Sequence, residues 1–231
     1  MFRKYMVIVT RKLGIYKWTV DKLTLMINKR KNYYFRKYAI EALTQADKAF
    51  QSVDSFIFLT FGTLLGAYRE RDFIKYDNDI DVGFLATKKP DNLQQLLGSF
   101  GFKKIKHYYF KEGNRVVIEA YTYKNVQLDF FSYYEDGDDY FCYWGKRHES
   151  KSAAEANESD GFPSMTSRVE RSTFSKKEFK GQSFYMADKT AIWLEDIYGK
   201  TFMTPVKNWD ADKYERRVAP YHERLYRKYF K

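Results

Sequence analysis

The chain has 231 residues and a formal net charge of +11, with 44% hydrophobic and 31% charged residues. This balance predicts one folded domain with a core of its own and excludes a disordered or fibrous chain. A single cysteine excludes a disulfide framework and a cysteine-rich zinc site, and no apolar run reaches the ~20 residues of a membrane-spanning helix.

The positive charge is concentrated at the N-terminus. Residues 1–38 hold eleven Lys and Arg against one acid, Asp21, whereas the rest of the chain is close to neutral. Apolar residues among these cations predict a basic amphipathic segment over residues 1–34, which suits an anionic membrane surface better than nucleic acid. The structural alternative is a helix packed on the domain with a solvated basic face. No nucleic-acid partner is expected, and the predicted location is the cytoplasm, either free or peripheral on the inner face of the cytoplasmic membrane.

The apolar spacing predicts helices first and last around a run of strands. Strands are predicted at 55–60, 80–85, 102–110, 115–124, 126–133, 140–144 and 179–186. Helices are predicted at 32–52, 91–100, 188–198 and 210–229, with a short helix or turn at 62–68. This order indicates an α+β or mixed α/β domain over residues 35–210, followed by a basic helix at 211–231. The polar stretch 147–161 is predicted to be a mobile loop, with a lid over substrate as the alternative.

Acidic residues alternate with aliphatic ones in the predicted strand at 80–85. Asp79 and Asp81 alternate with Ile80 and Val82, so period two puts both carboxylates on one face of a strand. A third carboxylate, Asp129, lies between apolar residues in the strand at 126–133. If the two strands are neighbours, the three carboxylates form a cluster that suits Mg²⁺ or Mn²⁺. Each acid alone has an ordinary structural interpretation, and only their order along the chain favours a site.

A glycine and a threonine follow the first buried strand and open a short helix. Gly62 and Thr63 therefore place free backbone N–H groups and one hydroxyl where a phosphate can bind. Ordinary turn chemistry is the structural alternative. A phosphate cradle beside metal-binding carboxylates is the machinery of phosphoryl transfer, in which positioning and charge neutralisation supply most of the catalysis.

This order resembles the nucleotidyltransferase superfamily of DNA polymerase beta, and more closely the LicD/fukutin family within it. The stretch Gly62–Arg69 (GTLLGAYR), with Phe73–Asp81 (FIKYDNDID), is similar to the family's GTLLGAxR…GFIPWDDDID signature. A second similarity is the closing segment, with FKG at 179–181, WLEDIYG at 193–199 and TP at 204–205. The resemblance implies a nucleotidyltransferase-like mixed sheet flanked by helices, with basic helical extensions at both termini.

The chain departs from the family signature at four positions. Asp72 replaces the usual glycine, Lys75 a proline, Tyr76 a tryptophan, and Asn78 the middle aspartate. The metal-ligand positions of the signature are intact. The cysteines of the zinc-binding insertion of animal relatives are absent, so no zinc is expected.

What the resemblance implies is transfer of an alcohol phosphate, such as phosphocholine, glycerol phosphate or ribitol phosphate. The donor would be CDP-activated, the acceptor a hydroxyl of a cell-surface glycan, which could be lipid-linked, and CMP would be released. Asp79 and Asp81 would bind Mg²⁺, Asp129 would bind metal or act as general base, and Gly62 and Thr63 would hold donor phosphates. Arg69 would neutralise charge on the leaving phosphate. A structural salt bridge from Arg69 to Asp72 or Asp77 is the alternative.

Two other functions remain open at this point. One is a nucleotidyltransferase that moves a nucleoside monophosphate from an NTP to a small molecule. The other is a non-catalytic basic module that binds a membrane surface. Release of pyrophosphate from an NTP distinguishes the first, and a failure to bind Mg²⁺ favours the second.

Overall fold

The computed structural model describes residues 16–146, 157, 159–206 and 217–230. Within them, four α-helices flank a mixed sheet of ten strands, which confirms the α+β class. The helices are α1 (Tyr16–Gln51), α2 (Phe61–Arg69), α3 (Leu93–Ser99) and α4 (Thr190–Tyr198). The strands are β1 (Phe58–Leu59), β2 (Asp79–Leu85), β3 (Lys103–Phe110), β4 (Arg115–Tyr123), β5 (Val126–Asp136), β6 (Asp139–Gly145), β7 (Phe162–Glu170), β8 (Phe174–Phe179), β9 (Gln182–Ala187) and β10 (Val218–Tyr229).

The sheet closes on itself over part of its width. Its strand order is β4-β3-β10-β7-β6-β5-β2-β1-β9-β8, and β4 also pairs with β5. The six strands from β4 to β5 therefore form a ring of antiparallel pairs. Strand β2 adds to the other edge of β5 in the parallel direction and pairs in turn with β1. Strand β5 is thus shared by the ring and the open part of the sheet.

Helices cover both faces of the sheet at β2 and β5. On one face, the ring of Phe50 in α1 lies 5.9 Å from the rings of Phe84 and Phe130. On the opposite face, the ring of Trp193 in α4 lies 5.7 Å from that of Tyr133. Side chains alternate between the two faces of a strand. Because Phe84 and Phe130 point toward α1, the residues before and after them in sequence point toward the opposite face, where α2 and α4 lie. The even-numbered apolar positions of β2 and β5 thus build the core beneath α1.

Helix α1 does not stop at the predicted boundary between residues 34 and 35. It runs as one helix of 36 residues from the basic segment into the core, where Phe35 and Phe50 are fully buried. Residues 1–15 of the predicted N-terminal segment lie outside the described residues. The basic stretch that is described is therefore continuous with a helix that enters the core.

The predicted C-terminal helix is wrong over residues 218–229, which form strand β10 between β3 and β7. Tyr221, Leu225 and Tyr229 are four residues apart. This spacing fits a strand, whose period is two, as well as a helix, whose period is 3.6. Pairing with two long strands decides between them, and residues 211–216 lie outside the described part.

Three further points concern two strands that the sequence did not predict, the predicted loop at 147–161, and membrane-spanning helices. Strands β7 and β8 were not predicted, because β7 is rich in Ser and Thr and β8 in Lys. The predicted mobile loop at 147–161 lies largely outside the described residues. No helix in the described part of the chain is both long and apolar enough to cross a membrane.

Candidate functional site

Three aspartates from two neighbouring strands lie side by side on the face of α2 and α4. We call Asp79, Asp81 and Asp129 the acidic cluster. Strands β2 and β5 are parallel, and Asp81 is the register partner of Asp129. Adjacent strands are about 4.8 Å apart, and partners in a parallel pair point to the same face. The pairing of β2 with β5 thus brings the backbone of Asp129 next to that of Asp81, which is the arrangement expected from the sequence.

Residues at the turn between β1 and α2 form hydrogen bonds with Asp81 of the acidic cluster. The backbone N–H of Gly62 donates to Oδ2 of Asp81 at 3.2 Å, and the backbone N–H of Asp81 donates to Oγ1 of Thr63 at 2.9 Å. Thr63 is only 1% exposed. In the structure, both residues position Asp81, and the buried Thr63 does so through the backbone of β2. Phe61, which opens α2 at a φ of +41°, makes the turn between strand and helix sharp.

Two glycines of α2 allow close approach of the segment 72–77, which leads into β2. A Cβ at Gly66 would lie 2.6 Å from the carbonyl oxygen of Asp72, so no larger residue fits there without a backbone shift. A Cβ at Gly62 would lie 3.1 Å from Oδ2 of Asp77 and 3.4 Å from Oδ2 of Asp81. The helix N-terminus therefore approaches two carboxylates at a distance that only glycine allows without displacing one of them.

Helix α1 holds the same segment from the other side. The side-chain amide of Asn32 donates to the carbonyl oxygens of Lys75 and Asp77, both at 3.3 Å. The guanidinium of Arg36 donates to the carbonyl of Ile74 at 2.7 Å. Residue 32 belongs to the segment that was predicted to be separate from the catalytic domain. The basic helix therefore takes part in building the site.

Burial and mutual repulsion raise the pKa values of the aspartates. Burial raises the pKa of Asp129 to about 6, with a smaller contribution from Asp79. The pKa of Asp77 is also raised to about 6, by burial and then by Asp79. Burial, followed by the charges of Asp79, Asp129 and Asp77, holds the pKa of Asp81 well above its usual range. Four negative charges in one place are costly unless a cation accompanies them.

The chemistry of these oxygen donors fits a hard divalent cation such as Mg²⁺ or Mn²⁺. In the described residues, however, no three acidic, His or Cys side chains are arranged as a complete set of metal ligands. The side-chain amide of Gln127 instead donates to both carboxylate oxygens of Asp129, at 2.9 and 3.0 Å. The charge repulsion at Asp81 and the adjacent register of the three aspartates are the observations that support metal binding.

Arg69 lies on α2 in a small cavity beside the cluster. The cavity has a volume of about 190 Å³, and Gly62, Asp77 and Arg69 are among its lining residues. The guanidinium donates to Oε1 of Glu70 at 2.7 Å and to the carbonyl of Phe202 at 3.2 Å, while its buried Nε has no partner. The alternative salt bridge to Asp72 or Asp77 is therefore not the contact that forms.

A family model matches residues 56–176, and its description is LicD/FKTN/FKRP, nucleotidyltransferase domain. The match covers more than half of the chain and contains all six predicted site residues. This chain belongs to that family. The resemblance found in the sequence is thereby confirmed.

Curated relatives are similar to this LicD-family chain over most of its length. It is 28% identical over 187 residues to the ribitol-5-phosphate transferase FKTN of Mus musculus. It is 27% identical over 186 residues to the proteins of the same name from Macaca fascicularis and Homo sapiens. Each match covers 80% of this chain but only 38% of the relative. This family member thus spans well under half the length of these relatives.

Three residues at the site of this LicD-family chain were not predicted from the sequence. Asp77 was considered only as a partner for Arg69, although its carboxylate faces Gly62. Asn32 lies 45 residues from Asp77 in sequence, so no local pattern indicates their contact. Lys106 lies within a predicted strand and carries no motif of its own, yet its charge opposes the raised pKa values of Asp79 and Asp129.

Two departures from the family signature acquire a structural explanation. The carboxylate of Asp72, in place of glycine, accepts an ion pair from Lys180 at 2.9 Å and faces Arg36 at 3.9 Å. Lys180 belongs to the FKG triplet of the closing segment, so this pair joins the two similar regions of the LicD-family sequence. The side-chain amide of Asn78 donates to the carbonyl of Tyr76 at 3.2 Å.

Proposed function

We propose that this chain is a transferase that moves an alcohol-phosphate group from a CDP-activated donor to a hydroxyl of a cell-surface glycan and releases CMP. Membership of the LicD family and the names of the curated relatives favour ribitol phosphate as the group, with glycerol phosphate and phosphocholine as the alternatives. The observation that carries the proposal is the register of Asp81 with Asp129 beside the N-terminus of α2.

In this proposal the acceptor oxygen attacks the phosphorus that carries the alcohol, in line with the bond to CMP. That bond breaks, and its electron pair leaves with CMP. Asp129 takes the proton of the acceptor hydroxyl or, in its other role, would hold a divalent cation together with Asp79 and Asp81. A bound divalent cation would supply charge neutralisation at the donor pyrophosphate.

The remaining predicted residues contribute binding and position. The N–H groups at the start of α2, with the partial positive charge of the helix N-terminus, favour a donor phosphate next to Gly62. Thr63 keeps Asp81 in place through the backbone of β2. Arg69 lines the adjoining cavity, where its positive charge favours an anionic part of the donor.

The test is release of CMP from CDP-ribitol, CDP-glycerol and CDP-choline with Mg²⁺, preceded by a thermal-shift screen of the same donors and of NTPs. Wild-type protein is expected to release CMP, and Asp81→Asn to lose activity by about two orders of magnitude or more. Asp91→Asn, an exposed aspartate away from the cluster, is the matched control. Near-normal turnover by Asp81→Asn contradicts the mechanism. Pyrophosphate release from an NTP favours a nucleotidyltransferase, and no Mg²⁺ binding favours a non-catalytic module.

A further inference from the structure

A lysine lies in line with the acidic cluster across four strands. In register, Lys106 of β3 pairs with Ala120 of β4, Ala120 with Asp129 of β5, and Asp129 with Asp81 of β2. Paired residues of neighbouring strands point to the same face, so all four share the face of the cluster. Ala120 is fully buried and has the smallest side chain that carries a Cβ. No bulky group on β4 therefore separates Lys106 from the carboxylates.

The charge of Lys106 acts on the cluster, although Lys106 is not ion-paired with it. It lowers the pKa of both Asp79 and Asp129 against the effect of burial. Lys89 and Lys104 form ion pairs with Glu119. Lys106 forms none with any residue in the described part of the chain. Since the amide of Gln127 already bonds both oxygens of Asp129, the ammonium group remains available to another anion.

A second cation, Lys31 of helix α1, directly precedes Asn32, whose side-chain amide bonds the carbonyl oxygen of Asp77 two residues before Asp79. Lys31, which is exposed, also lowers the pKa of Asp79. The acidic cluster thus lies between two positive groups, the N-terminus of α2 beside Asp81 and Lys106 on the β3 side of Asp129. A diphosphate has two anionic groups a few ångströms apart, and such a ligand complements this arrangement of charges.

We propose that Lys106, supported by Lys31, forms a second phosphate-binding subsite that takes one phosphate of the diphosphate donor while the N-terminus of α2 takes the other. This inference rests on the proposed function for the identity of the donor. Its physical content, an anion subsite on the β3 side of the cluster, depends only on the placement of the two lysines.

The test measures binding by calorimetry, with CDP and with inorganic pyrophosphate, each in the presence of Mg²⁺. Lys106→Met is expected to weaken the binding of both ligands about tenfold or more, the loss of one charge-assisted hydrogen bond. The same variant is expected to bind Mg²⁺ alone at least as tightly as wild type, because a nearby positive charge is removed. Lys228→Met is the matched control, since Lys228 pairs with His107 on the neighbouring strand and therefore lies on the other face of the sheet.

Chemical rescue separates the charge from the packing of the side chain. Lys106→Cys, alkylated with 2-bromoethylamine, regains an ammonium group and is expected to recover most of the binding. Cys142 is fully buried, and burial raises the pKa of its thiol to about 12, so the native cysteine stays unmodified.

The outcomes are distinguishable. Binding of pyrophosphate but not CDP by wild type contradicts the nucleotide donor and leaves the subsite to be judged by Lys106→Met. Equal affinities of Lys106→Met and Lys228→Met for pyrophosphate overturn the subsite, as does a failure of alkylation to restore binding to folded Lys106→Cys. If wild type binds neither ligand, both the subsite and the proposed function are wrong.

Discussion

Replacing Asp129 with Asn is expected to stabilise the metal-free protein at neutral pH, although it removes a residue of the proposed site. Burial raises the pKa of Asp129 to about 6, against about 3.9 in an unfolded chain. At about 1.4 kcal/mol per pKa unit, the ionised carboxylate lowers the free energy of unfolding by about 3 kcal/mol above pH 6. Asn retains one oxygen for the two hydrogen bonds from Gln127, which offsets about 1 kcal/mol of the gain. The net gain of about 2 kcal/mol corresponds to a Tm higher by about 4–8 °C.

The sign of this effect depends on pH. Because the pKa of Asp129 is raised in the folded state, the stability contributed by its protonated form is complete below about pH 4 and is lost as the pH rises through 6. The Tm difference between variant and wild type, measured by circular dichroism in EDTA, is therefore expected at pH 8 and not at pH 4. Asp91→Asn, at an exposed position, provides the control. A variant that is less stable than wild type at pH 8, or equally shifted at both pH values, would refute the electrostatic reasoning.

Three further predictions concern the supports of the site. Gly62→Ala is expected to abolish CMP release with a modest loss of Tm, because its Cβ meets the carboxylates of Asp77 and Asp81. Gly98→Ala, where a Cβ meets nothing within 4 Å, should leave activity intact and raise the free energy of unfolding by up to about 1 kcal/mol. Asn32→Ala removes both hydrogen bonds to the segment 72–77. Activity should therefore fall, and the free energy of unfolding, measured in urea, should drop by about 1–2 kcal/mol. Unchanged activity would show that α1 does not support the site. Met26 is exposed among basic residues on α1, and we propose that it contacts anionic membranes. Met26→Glu should therefore reduce flotation of the protein with anionic vesicles. If flotation of the wild type is absent or does not depend on salt, membrane binding is contradicted.

Sequence reasoning succeeded where one strand or one turn carried the information. The alternation of Asp79 and Asp81 with aliphatic residues is a local property, as is the glycine that opens α2, and both were predicted. The sequence predicted that Asp129 lies beside Asp81 only if their two strands are neighbours, because no single segment determines the order of strands in a sheet. The position of Lys106 relative to the acidic cluster could not be predicted, because it depends on the pairing of β3, β4 and β5. It also depends on Ala120, whose small side chain leaves the space between Lys106 and the carboxylates open.

The C-terminal strand shows a different limit. A spacing of four residues satisfies both regular structures, and only the gap between β3 and β7 selects one of them. Long-range contacts of this kind, like that of Asn32 with the carbonyl of Asp77, follow from the tertiary structure rather than from propensity.

The closure of β4 onto β5 also reduces the number of strand edges with which another molecule could pair. Among the described strands it leaves β8 as the one strand with a single neighbour in the sheet. That strand is six residues long and carries Lys176, Lys177 and Glu178 in succession. Short, charged edges oppose the addition of a strand from another molecule. A chain with 41 Tyr and Phe residues, and with ten strands in its described part, is therefore expected to resist edge-to-edge aggregation as long as the ring stays closed.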